Sequence, residues 1–173
     1  AKVAEEGGEM IAWPLKSNRI RGGLANHTFG MVRTNVVGTK RPHQGWDFEA
    51  ADGTPCFAVA DGEIVYIRNI GDYGQQIILR FTFDYDGDGD TDTLYAFYAH
   101  LSRIDVAQGQ RVTRGQQIGL TGSTGNAVNM KGPDKHLHFE VRTVPLPGKG
   151  LVNRYSPMIL FKRCPLDAAE VVA

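Results

Sequence analysis

The sequence predicts a mostly β fold. Four segments show the two-residue alternation of strands, no stretch sustains a 3.6-residue apolar period over helical length, and glycine is frequent, at 21 residues. The first strand covers residues 63–68 (EIVYIR), which are β-branched and aromatic and follow the turn dipeptide Asp61-Gly62. The second covers 76–83 (QIILRFTF): Ile77, Leu79, Phe81 and Phe83 share one face, Gln76, Arg80 and Thr82 the other, and Ile78 breaks the pattern. The third, 94–100 (LYAFYAH), places Tyr98 and His100 on the same face by simple alternation. The fourth, 136–142 (HLHFEVR), turns Leu137, Phe139 and Val141 toward a core and His136, His138 and Glu140 away from it. Between the third and fourth lie short glycine-bounded pieces, 109–112, 115–120 and 121–125, suited to a meander of short strands.

Composition bounds the function. Nineteen Lys and Arg balance nineteen Asp and Glu, so the chain lacks the basic excess of a nucleic-acid binder or a polybasic membrane-surface protein. Apolar residues are 42% and charged residues 22%, ordinary globular values. A chain of this length buries roughly 70% of its unfolded surface, enough for one core without a staple. The expected organisation is one domain over 1–173, with a core at about 27–143 and linker-like ends at 1–10 and 165–173. No apolar run approaches a membrane span, and the small, acidic residues 1–10 do not read as a signal peptide. Cys56 and Cys164 permit one disulfide; two separate buried thiols are the alternative.

The five histidines are His27, His43, His100, His136 and His138. His136 and His138 lie two apart on a strand, with Cα atoms ~6.8 Å apart and side chains on one face. His43 and Asp47 lie four apart, ~13 Å if extended, so their segment must bend for both to reach one ion at ~2.0–2.2 Å. Gly45 permits that bend. His43, Asp47 and His138 together make a three-ligand set that leaves a position for water, as catalytic zinc sites do. His136 and His100 then stand as groups to act on that water. No cysteine pair has zinc-finger spacing.

At these residues the sequence resembles the lysostaphin-type (LytM-like) zinc metalloendopeptidases. His43-Gln44-Gly45-Trp46-Asp47-Phe48 is similar to that family's His-x-Gly-x-Asp-Phe motif, and Tyr98-Ala99-His100-Leu101-Ser102 to its second motif. His136-Leu137-His138-Phe139-Glu140 is similar to its third. Gly53-Thr54-Pro55 and Val59-Ala60-Asp61-Gly62 resemble the stretch after the first motif, and the resemblance runs over about 27–143 in order. It implies an antiparallel, mostly β fold with short hairpins and loops lining a groove. It implies zinc held by His43, Asp47 and His138, catalytic roles for His136 and His100, and hydrolysis of peptides in bacterial peptidoglycan, in stem-peptide cross-links or glycine-rich bridges, with the former favoured. Such an enzyme works in the periplasm or outside the cell, alone or delivered within a larger effector that has an immunity or regulatory partner. The rival is a non-catalytic peptidoglycan-binding or regulatory module on the same fold, in which site residues would be expected to be lost. Phe29-Gly30-Met31-Val32-Arg33 resembles the family's upstream Phe-Gly-x-Arg with one extra residue.

The loop 84–92 (DYDGDGDTD) matches the first half of a calcium loop, with Asp84, Asp86 and Asp88 at positions 1, 3 and 5 and Gly89 at 6. Position 12 is Tyr95, and the flanks read as strands, so an EF-hand is not expected. A solvated hairpin tip and a calcium site at Asp84, Asp86, Asp88 and Asp90 are the two readings. Asn26-His27-Thr28 spells a glycosylation acceptor, read as accidental. Tyr98 either contacts substrate or packs, Trp46 packs beneath the His43–Asp47 segment in preference to stacking on substrate, and Glu140 reads as a surface carboxylate, the alternative being a group that orients a ligand.

Overall fold

The computed structural model describes residues 11–172. Its centre is one nine-stranded antiparallel sheet. Along its main path the order is β12 (Arg154–Tyr155), β11 (His136–Arg142), β8 (Asp92–Ile104), β7 (Gln75–Phe83), β6 (Gly62–Asn69) and β9 (Arg111–Val112). β4 (Trp46–Glu49) joins β11, while β10 (Gln117–Thr121) bridges β8 and β5 (Pro55–Phe57). Two small ribbons complete the strands: β1 (Ser17–Asn18) with β13 (Glu170–Val171), and β2 (Gly30–Thr34) with β3 (Lys40–His43). A single helical turn, α1 (Met158–Phe161), packs Leu160 and Phe161 into the core.

The four strands read from alternation are β6, β7, β8 and β11, each extended by a few residues or matched at its ends. The sheet has two unequal faces. Phe48, Ile77, Leu79, Tyr98, Leu137 and Phe139 belong to the main core, joined by the rings of Trp46 and Phe161. Ile78, Phe97 and Ala99 form a small cluster on the other face, which explains why Ile78 broke the alternation of β7: that strand is buried on both sides. Tyr98 packs. Its hydroxyl accepts from the Val59 N–H at 3.0 Å and donates to the Phe57 carbonyl at 2.9 Å.

The C-terminal segment is tied down, and the cysteines follow the free-thiol reading. Residues 1–10 and 173 lie outside the described residues. Toward the C-terminus, Glu170–Val171 pairs with Ser17–Asn18, and the buried Asn18 side chain donates to the Glu170 carbonyl at 3.1 Å. Cys56 and Cys164 are free thiols. Cys56 is fully buried in the core, and that burial pushes its thiol up to about 12, which makes it an inert packing group.

The acidic loop closes on itself. The Asp84 carboxylate accepts the N–H groups of Gly87 at 2.9 Å and Gly89 at 3.0 Å, Asp86 accepts from Asp88 at 3.2 Å, and Asp88 accepts from Asp90 at 2.9 Å. Asp84, Asp86 and Asp88 come together, but Asp90 is not in their group, and their oxygens already serve as turn acceptors. The calcium reading gains no support from this arrangement; the solvated tip accounts for it.

Candidate metal centre

Two strands set the first three residues in place. In β11 every residue is buried, and alternation puts Leu137, Phe139 and Val141 in the core and His136, His138 and Glu140 on the opposite face. β4 pairs with it so that Asp47 lies directly across from His138, with Trp46 and Phe48 turned into the core. His43 ends β3, and the chain turns at Gln44-Gly45 to enter β4. Gly45 is required there for close approach: a Cβ would stand 2.1 Å from the Phe139 carbonyl oxygen. The segment thus bends as the His43–Asp47 spacing demanded.

The result is a buried group in which His43, Asp47 and His138 each offer a ligand atom, all within 4.8 Å of one another. Asp47 Oδ1 lies 3.2 Å from His43 Nε2 and 2.9 Å from His138 Nδ1. Each ligand atom is aimed by a contact behind it. His43 Nδ1 meets the Thr28 carbonyl at 2.8 Å, which puts its proton there and leaves Nε2 bare toward Asp47. His138 Nε2 meets Glu140 Oε2 at 2.8 Å, so Nδ1 faces the group. Asp47 Oδ2 is occupied by Arg33 at 3.2 Å, His27 at 3.3 Å and Arg21 at 3.7 Å, so Oδ1 alone is offered.

His136 and His100 follow the same rule. His136 Nδ1 meets the Asp134 carbonyl and His100 Nδ1 the Thr124 carbonyl, each at 2.8 Å, leaving Nε2 of both as an acceptor. His136 Nε2 lies 3.7 Å from Asp47 Oδ1, and the two rings are 5.1 Å apart. His100 arrives by a route that simple alternation misses. Gln75 faces Leu101 and Ile77 faces Tyr98, so β8 carries one residue more than β7 across that interval. His100 takes φ 59° at this bulge, which turns it to the face opposite Tyr98. A left-handed non-glycine residue costs about 1–3 kcal/mol and is held by its surroundings. Here Thr124 supplies them: its hydroxyl donates to the Leu101 carbonyl at 2.8 Å while its carbonyl takes His100. Gly125 fits beside it with φ 73°, where a Cβ would meet the Asp72 carbonyl oxygen at 2.2 Å.

The electrostatics sort these groups. Burial holds His43 and His136 below the ordinary imidazole value and His100 down to about 4, with the charges of His138 and His136 adding to the effect on His100. All three are neutral at pH 7. Burial also opposes charge on His138, but its hydrogen bonds to Asp47 and Glu140 outweigh it and raise the imidazole to about 9. For Asp47, burial alone would raise the carboxyl; hydrogen bonds from His138, His27 and His43 bring it well below the usual range. Glu140 is likewise depressed, with His138, Arg142 and Arg154 outweighing its burial. Raised to about 9, His138 carries its charge between the two carboxylates at pH 7, and a cation held in the group would take the place of its Nδ1 proton.

Sequence reasoning left some of the supporting groups open and missed others. Glu140 is fully buried, not a surface residue, and its Oε1 accepts from Arg142 Nε at 2.8 Å and Arg154 Nε at 2.6 Å. The strand pattern had put Glu140 on the His138 face; only its burial was illegible. His27, read as part of an accidental tripeptide, and Arg33, out of register with the resemblance, both reach Asp47. Tyr73 stacks on His138 with ring centres 5.2 Å apart, and its hydroxyl receives a hydrogen bond from the Gln44 side chain. Nothing local in the sequence marks Tyr73. The group opens into a groove of ≈700 Å³, with His100, His136 and Tyr73 among its walls.

Two imidazole nitrogens and one carboxylate oxygen suit zinc, with room left in its coordination for water or substrate. The profile of peptidase family M23 matches residues 41–153, which span all five of these residues. The chain belongs to this family. The peptidoglycan DD-endopeptidase ShyA of Vibrio cholerae is 40% identical over 105 residues, covering 60% of this chain and 21% of that protein. Among solved structures, the catalytic domain of the antimicrobial peptidase lysostaphin from Staphylococcus simulans aligns with a TM-score of 0.55 and 32% identity. That alignment covers 79% of this chain and 90% of that one. A zinc-containing peptidase from Vibrio cholerae aligns at TM-score 0.60 and 29% identity, covering 77% of this chain and 36% of that one. The chain spans about a fifth to just over a quarter of the length of the curated relatives it matches. As a member of family M23 it carries the mostly β, antiparallel fold of lysostaphin-type peptidases. No helix among the described residues is long and apolar enough to cross a membrane.

Proposed function

We propose that this domain is a zinc endopeptidase that hydrolyses peptide bonds in the stem-peptide cross-links of bacterial peptidoglycan, in the periplasm or outside the cell. One observation carries the reading: two histidines with bare Nε2 atoms stand beside a three-ligand group at the floor of an open groove. The relatives named as peptidoglycan DD-endopeptidases support the substrate class. His43, Asp47 and His138 would hold the zinc through Nε2, Oδ1 and Nδ1. Zinc bound there supplies a water that ionises near neutral pH and a Lewis acid for the scissile carbonyl.

The chain's own residues do the remainder. One of His136 and His100, both neutral at pH 7, accepts the proton of the attacking water at Nε2, and the imidazolium formed returns it to the leaving amine. Their Nδ1 contacts to the Asp134 and Thr124 carbonyls hold both rings in that tautomer and stabilise the charge when it forms. Arg33, His27 and Arg21 keep Asp47 Oδ2 out of the metal's reach. A non-catalytic module would not need this arrangement, and all five positions are filled.

The test is digestion of purified cross-linked peptidoglycan by zinc-loaded protein and by chelator-treated protein, followed by mass analysis of the fragments. Cross-linked dimers should fall and monomers rise with the zinc-loaded protein alone. New sugar reducing ends with dimers untouched would refute the reading.

A further inference from the structure

The whole chain has no net charge, yet its groove is cationic. Among the described residues, six basic side chains line it: Arg21, Arg33, Arg68, Arg142, Lys149 and Arg154. Four of them are spent on buried carboxylates. Arg21 and Arg33 face Asp47 Oδ2, while Arg142 and Arg154 both hold Glu140 Oε1. Arg68 and Lys149 are different: neither has a hydrogen-bond or ion-pair partner among the described residues. Asp47 and Asp72 on its walls, with Asp134 and Glu140 paired to its arginines, offset four of the six charges, so the groove keeps a positive balance before any metal is added.

The two unpaired cations belong to walls that meet. Arg68 stands near the end of β6, just before the turn that carries Tyr73, and Lys149 lies in the loop from β11 to β12. Gln44 ties those walls together beside His43: its amide donates to the Tyr73 hydroxyl, and its carbonyl accepts the Gly150 N–H at 2.6 Å. Ile70 and Leu146, both exposed, line the same walls and offer apolar contact between the charges. Lys149 is exposed and Arg68 half-buried, so both cations are free to meet an anionic ligand that enters the cleft.

We propose that Arg68 and Lys149 determine substrate specificity by binding a carboxylate of the peptide, so that the groove selects anionic stem peptides over neutral, glycine-only bridges. The inference rests on the proposed peptidase activity. The carboxylate can come from a diamino acid at the branch point or from the α-carboxyl of a γ-linked glutamate; the recognising chemistry is the same.

The experiment compares four synthetic substrates with zinc-loaded protein: a cross-linked stem-peptide dimer as the free acid, the same dimer amidated at the diamino acid, the same amidated at the glutamate, and a pentaglycine-bridged peptide. Amidating the recognised carboxylate should raise KM about three- to tenfold with kcat nearly unchanged, the scale of a partly exposed charge pair. R68Q and K149Q should raise KM on the free acid by a similar factor and do nothing further on the amide that wild type already disfavours. Equal KM for the free acid and both amides, or variants that impair acid and amide alike, would overturn the inference while leaving the peptidase reading intact. Failure of wild type to cleave any of the four would remove both.

Discussion

Two groups of side chains in this protein could hold a cation, and they are built in opposite ways. His43, Asp47 and His138 are buried, and each has its spare atom fastened from behind: Thr28 on His43, Arg33 and His27 on Asp47, Glu140 on His138. Asp84, Asp86 and Asp88 sit at a hairpin tip, and their oxygens accept the N–H groups of their own loop. Spacing proposed both. Preorganisation separates them: the buried group is aimed at one point by partners from distant segments, while the acidic residues only brace the N–H groups of their own exposed turn.

The largest effect should come from separating ligand from base within the buried group. On the proposed assignment His138→Ala removes one of three ligands, so zinc content and turnover should fall together. His136→Ala leaves the ligands in place; zinc should stay near one per chain while turnover drops roughly 10²–10⁴-fold, and His100→Ala should behave alike. Metal analysis beside activity decides it. Zinc lost from His136→Ala and retained by His138→Ala would reverse the assignment.

The same group should leave a pH signature in the metal-free protein. His100 is depressed to about 4, so between 6.5 and 4 the unfolded chain binds the extra proton, and its contribution is lost as pH falls through that window. It accounts for roughly 3 kcal/mol, and the depressed His43 and His136 act in the same direction. His138, raised to about 9, contributes fully below 6.5 and loses its contribution as pH rises to 9. Urea denaturation of the chelated protein should therefore peak near pH 6–7, and His100→Asn should flatten the acid limb. An acid limb identical in wild type and His100→Asn would contradict the depressed value.

Glu140→Gln sharpens the comparison further. It keeps the shape but weakens the acceptor that aims His138, so zinc affinity should fall roughly 10–100-fold. Competition with a fluorescent chelator measures it. Affinity unchanged would reduce Glu140 to a partner for Arg142 and Arg154. The smallest effect belongs to the acidic tip: millimolar calcium should leave the melting temperature of wild type and Asp86→Asn unchanged. A calcium-dependent rise in wild type alone would restore a cation site at Asp84, Asp86 and Asp88.

Sequence determined much of this protein by itself, wherever structure repeats at short range. The alternation of β11 placed His136, His138 and Glu140 on one face and Leu137, Phe139 and Val141 on the other, because a strand's side chains alternate whatever it pairs with. The requirement that residues 43–47 bend followed from their spacing. What the sequence left open depends on partners far along the chain. The face of His100 turns on a bulge set by β7 and held by Thr124, so local alternation put it beside Tyr98 when it lies opposite. The burial of Glu140 required Arg154, fourteen residues on, to neutralise it. The hold of His27 and Arg33 on Asp47 and the stacking of Tyr73 on His138 arise only when separate segments converge. A pattern two residues long is written in the chain, whereas a charge or a ring brought from elsewhere is decided by packing.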